Sequence, residues 1–156
     1  MNNFYIYGQS TLYNGYATLD FGTNQGTPYL GTPYFTSSSS SQATLFTLDA
    51  TCNLVPASGY YEGALCGAVP GPREDVGIVQ CLTSSVVVMA DYYGEDPLRC
   101  TFAQDGTDVL QCTGGPDDLV ESLTVGGSSG AVDGSLLLGP DVDANGVPVV
   151  LFVRLQ

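Results

Sequence analysis

The sequence predicts an all-β fold, and three observations support this prediction. Short runs of β-branched and aromatic residues alternate with turn residues along a chain that holds 20 Gly and 9 Pro among 156 residues. No segment carries a sustained helical period, and the best candidate, GGPDDLVESLTV at residues 114–125, could form only a turn or two of helix. Apolar residues make up 44% of the chain, enough for the core of a single domain over residues 1–156.

The arrangement of the strands is predicted from a weak repeat. Three segments, at residues 4–15, 46–59 and 100–114, each show a strand, a polar turn, an apolar pair and a glycine. Three such units fit a β-trefoil-like barrel of short antiparallel strands, in which each third of the chain contributes four strands. A two-sheet β-sandwich or jelly roll is the alternative, because hairpins that begin F-x-L recur by chance in β proteins.

The five cysteines favour disulfide bonds over a zinc site, since the chain has no histidine and no CxxC pair. In LRCTFAQDGTDVLQC a three-residue loop, DGT, sets Cys100 opposite Cys112, so we predict a disulfide between them. CNLVPASGYYEGALC has a similar shape and predicts a second bridge, between Cys52 and Cys66. Cys81 is then a buried free thiol, or it competes for Cys52 or Cys66, or it links two chains. Disulfides indicate an oxidising compartment.

The charge of the chain excludes two classes of partner. Sixteen acidic residues against three arginines give a formal net charge of −13. Nucleic acid and anionic membrane surfaces both require clustered cations, so we expect neither as a partner. The opening MNNFYIYGQS lacks the basic segment and long apolar stretch of a signal peptide, so we expect any secretion signal to lie upstream of it.

No catalytic residue is predicted. Without histidine or lysine, this chain alone cannot form Ser-His-Asp, Cys-His or Schiff-base sites. Acidic clusters at residues 71–77, 94–97 and 115–121 lie on segments flanked by Gly or Pro. A glycosidase would need one such carboxyl to be buried, whereas neighbouring acids on exposed turns stay solvated. A glycosidase is therefore the least favoured function, although the residue types do not exclude it.

One segment resembles a calcium loop. Asp141, Asp143 and Asn145 alternate as the first ligands of such a loop do, and Gly146 follows at the turn position. Phe152 stands where the closing glutamate belongs, and a surface turn uses the same residue types. We therefore expect no cofactor, with Ca²⁺ at this loop as the alternative.

Four of the ten tyrosines are candidate ligand-binding residues. Tyr29 and Tyr34 belong to the doubled pentad GTPYLGTPYF, which proline should stiffen into a loop or an edge. Tyr60 and Tyr61 follow a glycine in a second predicted turn. Tyrosine rings suit stacking on sugars and at protein interfaces. For the other tyrosines we favour structural roles in cores and cross-strand pairs.

Four stretches of the chain, LFTLDATCNLV, GIVQCL, LRCTFAQDGTDVLQC and SLLLGPDVDANGVPVVLFVRL, together resemble a β-rich module of secreted and cell-wall proteins of ascomycete fungi. The resemblance covers roughly residues 45–155 and implies secretion and surface placement. The module has no settled activity, so no catalytic residue is carried over. Cys52 stands near the module's usual glycine, and the terminal strand lacks a preceding cysteine. The resemblance therefore implies no disulfide beyond Cys100–Cys112.

Two functions are consistent with these features. The favoured hypothesis is a secreted, non-catalytic, lectin-like module that binds carbohydrate or a cell-wall polymer, since only 12% of residues are charged and tyrosines occupy predicted loops. The alternative is a self-assembling structural subunit of a wall, coat or fibre. Three features favour the alternative: the repeated pentad, the odd cysteine count and the apolar end VPVVLFVRLQ. The apolar end could form a strand that is donated to a neighbour's sheet.

Overall fold

The computed structural model describes residues 2–11, 14–20, 30–70, 77–82, 97–114, 119–120, 123–126, 135–138 and 146–156. Within these ranges the regular structure is β-strand apart from one short 3₁₀ helix, Ser40–Gln42, so the all-β prediction is confirmed. The described parts of 114–125, the candidate helix, belong to strands. The strands are β1 (Phe4–Gln9), β2 (Asn14–Asp20), β3 (Leu30–Ser37), β4 (Leu45–Leu48), β5 (Leu54–Pro56), β6 (Leu65–Pro70), β7 (Gly77–Leu82), β8 (Arg99–Phe102), β9 (Val109–Gly114), β10 (Leu119–Val120), β11 (Leu123–Gly126), β12 (Ser135–Leu138), β13 (Gly146–Pro148) and β14 (Val150–Leu155).

Six of these strands form a nearly closed antiparallel barrel. β1 pairs with β4 and β14, β4 pairs with β5, and β9 pairs with β8 and β14. The remaining contact, between β5 and β8, is an isolated bridge from Asn53 to Arg99. Its flanking hydrogen bonds run from Leu54 N–H to Leu98 O at 2.9 Å and from Cys100 N–H to Cys52 O at 2.8 Å. Each barrel strand therefore has a neighbour on both edges, which leaves few backbone groups open to another chain.

The other strands form three groups, β2–β3, β6–β7 and β10–β13, placed between successive pairs of barrel strands. β3 pairs with both β7 and β12, and β7 also pairs with β12, so the groups contact one another in a triangle. A barrel of six strands with three such groups is the β-trefoil-like arrangement that the sequence predicts. The two-sheet alternative does not form, because the pairings join all fourteen described strands into one network.

The sequence repeats mark hairpins, but only two of them are equivalent. Residues 46–59 contain β4 and β5, and residues 100–114 contain β8 and β9, so each joins two barrel strands. Residues 4–15 join barrel strand β1 to β2, which belongs to the first of the three groups. The third equivalent pairing is β14 with β1, from Phe4–Leu155 to Gln9–Val150. All three segments have the same local sequence pattern. They differ in the fold because their strands pair with different, distant strands.

The core follows from the period-two alternation of the strands. In β1, Phe4, Ile6 and Gly8 are buried, whereas Tyr5 and Tyr7 are partly exposed on the other face. The largest fully buried side chains come from all parts of the barrel and from β3 and β7: Phe4, Phe35, Phe46, Leu98, Leu110, Leu151 and Val79. The inner face is therefore apolar, and the outer face carries the polar and aromatic side chains.

The hairpin disulfide is confirmed. Cys100 and Cys112 lie directly opposite each other on β8 and β9 and are bonded. The turn between the strands places Gly106 at φ +80°, a left-handed conformation that glycine adopts without steric cost. The Asp105 side chain accepts hydrogen bonds from both the hydroxyl and the backbone N–H of Thr107, which lowers the pKa of its carboxyl.

The predicted Cys52–Cys66 bridge is wrong. Cys66 is bonded instead to Cys81, directly opposite it on β7, and Cys52 is a free thiol. The segment between Cys52 and Cys66 does not fold back on itself, because β5 pairs with β4 and β6 pairs with β7. Cys81 is therefore not a free thiol: it pairs with Cys66 in place of Cys52, which is one of the alternatives that the sequence left open, and Cys52 is the unpaired cysteine.

Cys52 occupies a tight loop that Asp49 organises. The Asp49 carboxylate accepts hydrogen bonds from the backbone N–H groups of Asn53 (2.9 Å) and Thr51 (2.8 Å), from the Thr51 hydroxyl (2.8 Å) and from the Asn53 side-chain amide (3.0 Å). These bonds, the backbone bond from Asn53 foremost, lower the pKa of Asp49. The loop holds Cys52 at φ 66°, and no other described residue except glycine has a positive φ.

We expect Cys52→Gly to be more stable than Cys52→Ala. A side chain in the left-handed region costs roughly 1–2 kcal/mol, and glycine, although it loses more backbone freedom on folding, avoids this cost. The free energy of unfolding of Cys52→Gly, measured with urea, should exceed that of Cys52→Ala by about 1 kcal/mol. Both variants lack the thiol, so the comparison isolates the backbone. Equal stability of the two would contradict the strained conformation.

Candidate functional site

The structure describes the side chains of two of the tyrosines predicted to bind a ligand, and one of these two is exposed. Tyr60 is 68% exposed, and its ring lies edge to face on Tyr61 with 5.1 Å between centroids. Tyr61 is only 4% exposed and belongs to the core, so its ring is not available to stack on a ligand at the surface. The turn after β5 directs the first of the two rings outward and the second inward.

The second copy of the doubled pentad, GTPYF at residues 31–35, does not form the loop or edge strand that the sequence predicts. The backbone of Tyr34 lies inside β3, opposite Thr18 of β2 on one side and Ser135 of β12 on the other. Proline favours an extended conformation at Thr32, and β3 continues that conformation into a strand with neighbours on both edges. Tyr29 lies outside the described residues.

The candidate metal ligands and most of the acidic clusters also fall outside the described residues. This applies to Asp141, Asp143 and Asn145, to the carboxylates within residues 71–76, 94–96 and 115–118, and to Glu121. Within the part of the chain that the structure describes, no three His, Cys, Asp or Glu side chains are grouped so that they could hold a metal ion. The calcium loop therefore remains a prediction from the sequence.

The described structure brings together a different set of rings, on the outer face of the barrel. Tyr7 lies directly opposite Tyr16 of β2 on one side and Phe152 of β14 on the other. The rings of Tyr7 and Tyr16 contact edge to face at 5.1 Å between centroids, and the Tyr5 ring lies 6.1 Å from that of Tyr16. All four side chains are partly exposed. We call Tyr5, Tyr7, Tyr16 and Phe152 the aromatic patch.

Arg154 places a positive charge at the border of this patch. Its guanidinium carbon lies 5.3 Å from the ring centroid of Phe152 and 5.9 Å from that of Tyr7. A cation over an aromatic face is attracted by the ring quadrupole. Arg154 also lies opposite Tyr5 in the β1–β14 pairing, and its Nη1 donates a hydrogen bond to Val153 O at 3.2 Å. The two rings and the Val153 carbonyl therefore position the guanidinium. It places one positive charge on this face of a chain whose net charge is −13.

Amide side chains lie next to the rings. Gln9 follows Tyr7 by two residues on β1, so both side chains are on the same face of the strand. Asn14 lies directly opposite Gln9 on β2, and its Oδ1 accepts a hydrogen bond from Ser10 N–H at 2.9 Å. Both amide residues are exposed. The outer face thus combines ring faces with hydrogen-bonding groups.

A hollow of about 640 Å³ lies over the outer face of the β8–β9 hairpin. Its polar lining includes two directly opposed pairs, Arg99 with Thr113 and Thr101 with Gln111, and the free thiol residue Cys52 also borders it. All four side chains are exposed. We call this hollow the hairpin concavity. Its volume falls within the range of roughly 300–1,000 Å³ that is typical of small-molecule sites.

The hairpin concavity adjoins the aromatic patch. Val109 and Val150 line the concavity on the side of β14. Val109 lies directly opposite Phe152 of the patch, and Val150 lies directly opposite Gln9. A ligand longer than one ring could therefore contact both regions along the outer face of β1, β14, β9 and β8.

Sequence reasoning missed this surface, although part of the signal was present. The alternation in FYIYG places Tyr5 and Tyr7 on one face and Phe4 and Ile6 on the other. Which strands flank β1 was not readable, because β14 lies more than 140 residues away in the sequence. The grouping of rings from β1, β2 and β14 is therefore a result of the long-range pairing.

The C-terminal strand, which the sequence marks as a candidate for donation to a neighbour, is already paired within the chain. β14 lies between β1 and β9, so exchange with another copy would require β14 to leave its own barrel. Leu155 and Phe102 are 72% and 41% exposed and border a second hollow of about 530 Å³. This apolar border is one described surface through which copies of a structural subunit could associate.

Comparisons with known proteins found no matching family model, and no curated protein or solved structure matches the chain significantly. Among the described residues, no helix has the length and apolar character needed to cross a bilayer.

Proposed function

We propose that this protein is an extracellular, non-catalytic β module that binds carbohydrate through the aromatic patch. The observation that carries the proposal is the row of rings formed by Tyr16, Tyr7 and Phe152 across three adjacent strands, beside the amides of Gln9 and Asn14. Sugar rings present C–H faces that stack on aromatic rings, and hydroxyl groups that exchange hydrogen bonds with amides. The outer barrel face offers both kinds of contact.

The extracellular setting is supported by separate features. Two disulfides connect strands of the described structure, and such bonds persist in oxidising compartments. Only 12% of the residues are charged, which suits a surface that works among neutral polymers. The resemblance to a module of fungal secreted and cell-wall proteins agrees with this setting and favours a wall polysaccharide as the ligand.

The test is binding to an array of fungal, plant and animal glycans, followed by calorimetry with the glycan that binds best. Tyr7→Ala should weaken binding at least about fivefold, because truncating an aromatic residue at the centre of a binding surface commonly costs more than about 1 kcal/mol. The melting temperature of the variant shows whether the barrel remains folded.

Tyr60→Ala is the matched control, since it removes the same side chain from an exposed position in the turn after β5. We expect its affinity to equal that of the native protein. Silence across the whole array contradicts the proposed function. Loss of binding in Tyr60→Ala, with binding intact in Tyr7→Ala, would show that the site is at the turn after β5 and not on the barrel face.

The alternative function is a self-associating structural subunit. The exposed apolar side chains of Leu155 and Phe102, and the free thiol of Cys52, favour it. The mass in solution, measured by light scattering before and after reduction, separates the two. A monomer of about 16.3 kDa under both conditions contradicts assembly, whereas a larger species in either state supports it.

A further inference from the structure

Arg99 stands out among the polar residues that line the hairpin concavity. It is exposed on β8 and makes no ion pair with any described residue. A guanidinium offers a planar fork of N–H donors that matches the two oxygens of a carboxylate. An arginine in a hollow, with no carboxylate of the described residues paired to it, is suited to receive an anionic group from a ligand.

The neighbours of Arg99 complete a polar surface around it. Thr113 lies directly opposite Arg99, and Thr101 lies directly opposite Gln111. The described structure contains no hydrogen bond from any of these side chains to another described residue. Two hydroxyls and one amide are therefore open to sugar hydroxyls at the positions next to the guanidinium.

This surface is held rigid from the inner side of the same hairpin. Cys100 lies between Arg99 and Thr101 on β8, and Cys112 lies between Gln111 and Thr113 on β9. Both cysteines are buried and bonded to each other. The disulfide thus fixes the spacing of the two strands at the residues that line the hollow. A surface that is already ordered loses less conformational entropy on binding.

The overall charge limits which acidic ligands fit. A net charge of −13 repels polyanions, and a single guanidinium can neutralise one carboxylate. A carbohydrate with one acidic sugar residue among neutral ones satisfies both conditions. Its neutral rings would lie on the aromatic patch, which adjoins the concavity where Val109 lies opposite Phe152.

We propose that the hairpin concavity binds the carboxylate of a uronic acid residue within the carbohydrate ligand. Arg99 receives the carboxylate, and Thr101, Gln111 and Thr113 hydrogen-bond the hydroxyl groups of the same sugar. The inference rests on the proposed function, because the aromatic patch must hold the neutral part of the chain.

The test compares two oligosaccharides that differ in one residue, a β-linked glucose oligomer and the same oligomer that ends in glucuronate. Calorimetry gives the ratio of their affinities for each form of the protein. The native protein should prefer the acidic oligomer about tenfold, as expected for one charge-assisted contact at an exposed site. The preference should fall as salt concentration rises, because salt screens exposed charges.

Three variants test whether Arg99 causes the preference for the acidic oligomer. Arg99→Gln should bring the ratio to about one, and Arg99→Lys should keep part of it, because lysine supplies the charge without the planar fork. Gln111→Glu should also bring the ratio close to one, because the added carboxylate offsets the charge of Arg99 in the same hollow. All of these positions are exposed, so the fold should tolerate the changes.

The outcomes separate this inference from the proposed function. Equal affinity of the native protein for the two oligomers overturns the uronate site and leaves the aromatic patch as a carbohydrate site. A preference that survives in Arg99→Gln places the acidic contact elsewhere and also overturns the inference. Failure of the native protein to bind either oligomer, together with a silent glycan array, overturns both.

Discussion

Replacing Cys100 and Cys112 together by alanine should lower the free energy of unfolding by about 3 kcal/mol, as expected for a bridge that closes a loop of roughly this size. The bridge joins residues 12 positions apart. Removing it restores conformational freedom to the unfolded chain, and truncating two buried side chains weakens the core between β8 and β9. For a chain of this length the melting temperature should fall by roughly 6–12 °C. Denaturant unfolding and calorimetry measure the two quantities.

Cys52→Ala is the control for this double replacement, because it removes a thiol without removing a bridge. Its free energy of unfolding should stay within about 1 kcal/mol of the native value. A double variant as stable as this control would show that the hairpin is held by its hydrogen bonds and packing alone. Carbohydrate binding, measured on the folded double variant, reports in addition whether the bridge orders the hairpin concavity.

Gly8→Ala should destabilise the protein by about 1–3 kcal/mol, the usual cost of overpacking a core. A Cβ at Gly8 would lie 2.6 Å from Cδ1 and 2.9 Å from Cγ of Phe35. Phe35 is only 1% exposed, so its ring has little room to move. Alanine is otherwise favoured over glycine in a strand by roughly 0.5–1 kcal/mol, and the clash outweighs this gain. Denaturant unfolding measures the difference.

Phe35→Leu supplies the partner for a double-mutant cycle. Leucine at this position opens space beside Gly8 and destabilises the native protein, because it leaves part of the core unfilled. In the double variant the new methyl group occupies part of that space. The loss of stability in the double variant should therefore be smaller than the sum of the losses in the two single variants. Additive losses would show that the cost of Gly8→Ala does not arise from contact with Phe35.

Strand β1, which contains Gly8, links these stability effects to the candidate site. Gly8 lies on the inner face of β1, next to Tyr7 on the outer face. A close approach of β1 to Phe35 therefore positions the strand that carries the central ring of the aromatic patch. Overpacking at Gly8 should therefore disturb binding at the aromatic patch as well as stability, whereas the Cys52 variants change the border of the hairpin concavity and leave β1 unchanged.

The sequence alone was sufficient where the determining contacts are local. The period-two alternation and the turn residues predicted an all-β chain, and the length of the DGT loop predicted the register that joins Cys100 to Cys112. The alternation in FYIYG also separates Phe4 and Ile6 from Tyr5 and Tyr7. In each case the decisive contacts join residues within one strand or one hairpin.

Tertiary structure decided the features that depend on which strands become neighbours. Cys66 pairs with Cys81 and not with Cys52 because β6 pairs with β7, although both spacings are compatible with a bridge. Tyr61 is buried and Tyr60 exposed because the turn after β5 lies against the core. The aromatic patch exists because β14 returns to β1, and the hairpin concavity adjoins it because β9 follows β14 in the barrel. Side-chain alternation sets the face of a strand, but the burial of apolar surface over the whole chain selects the partner of that strand.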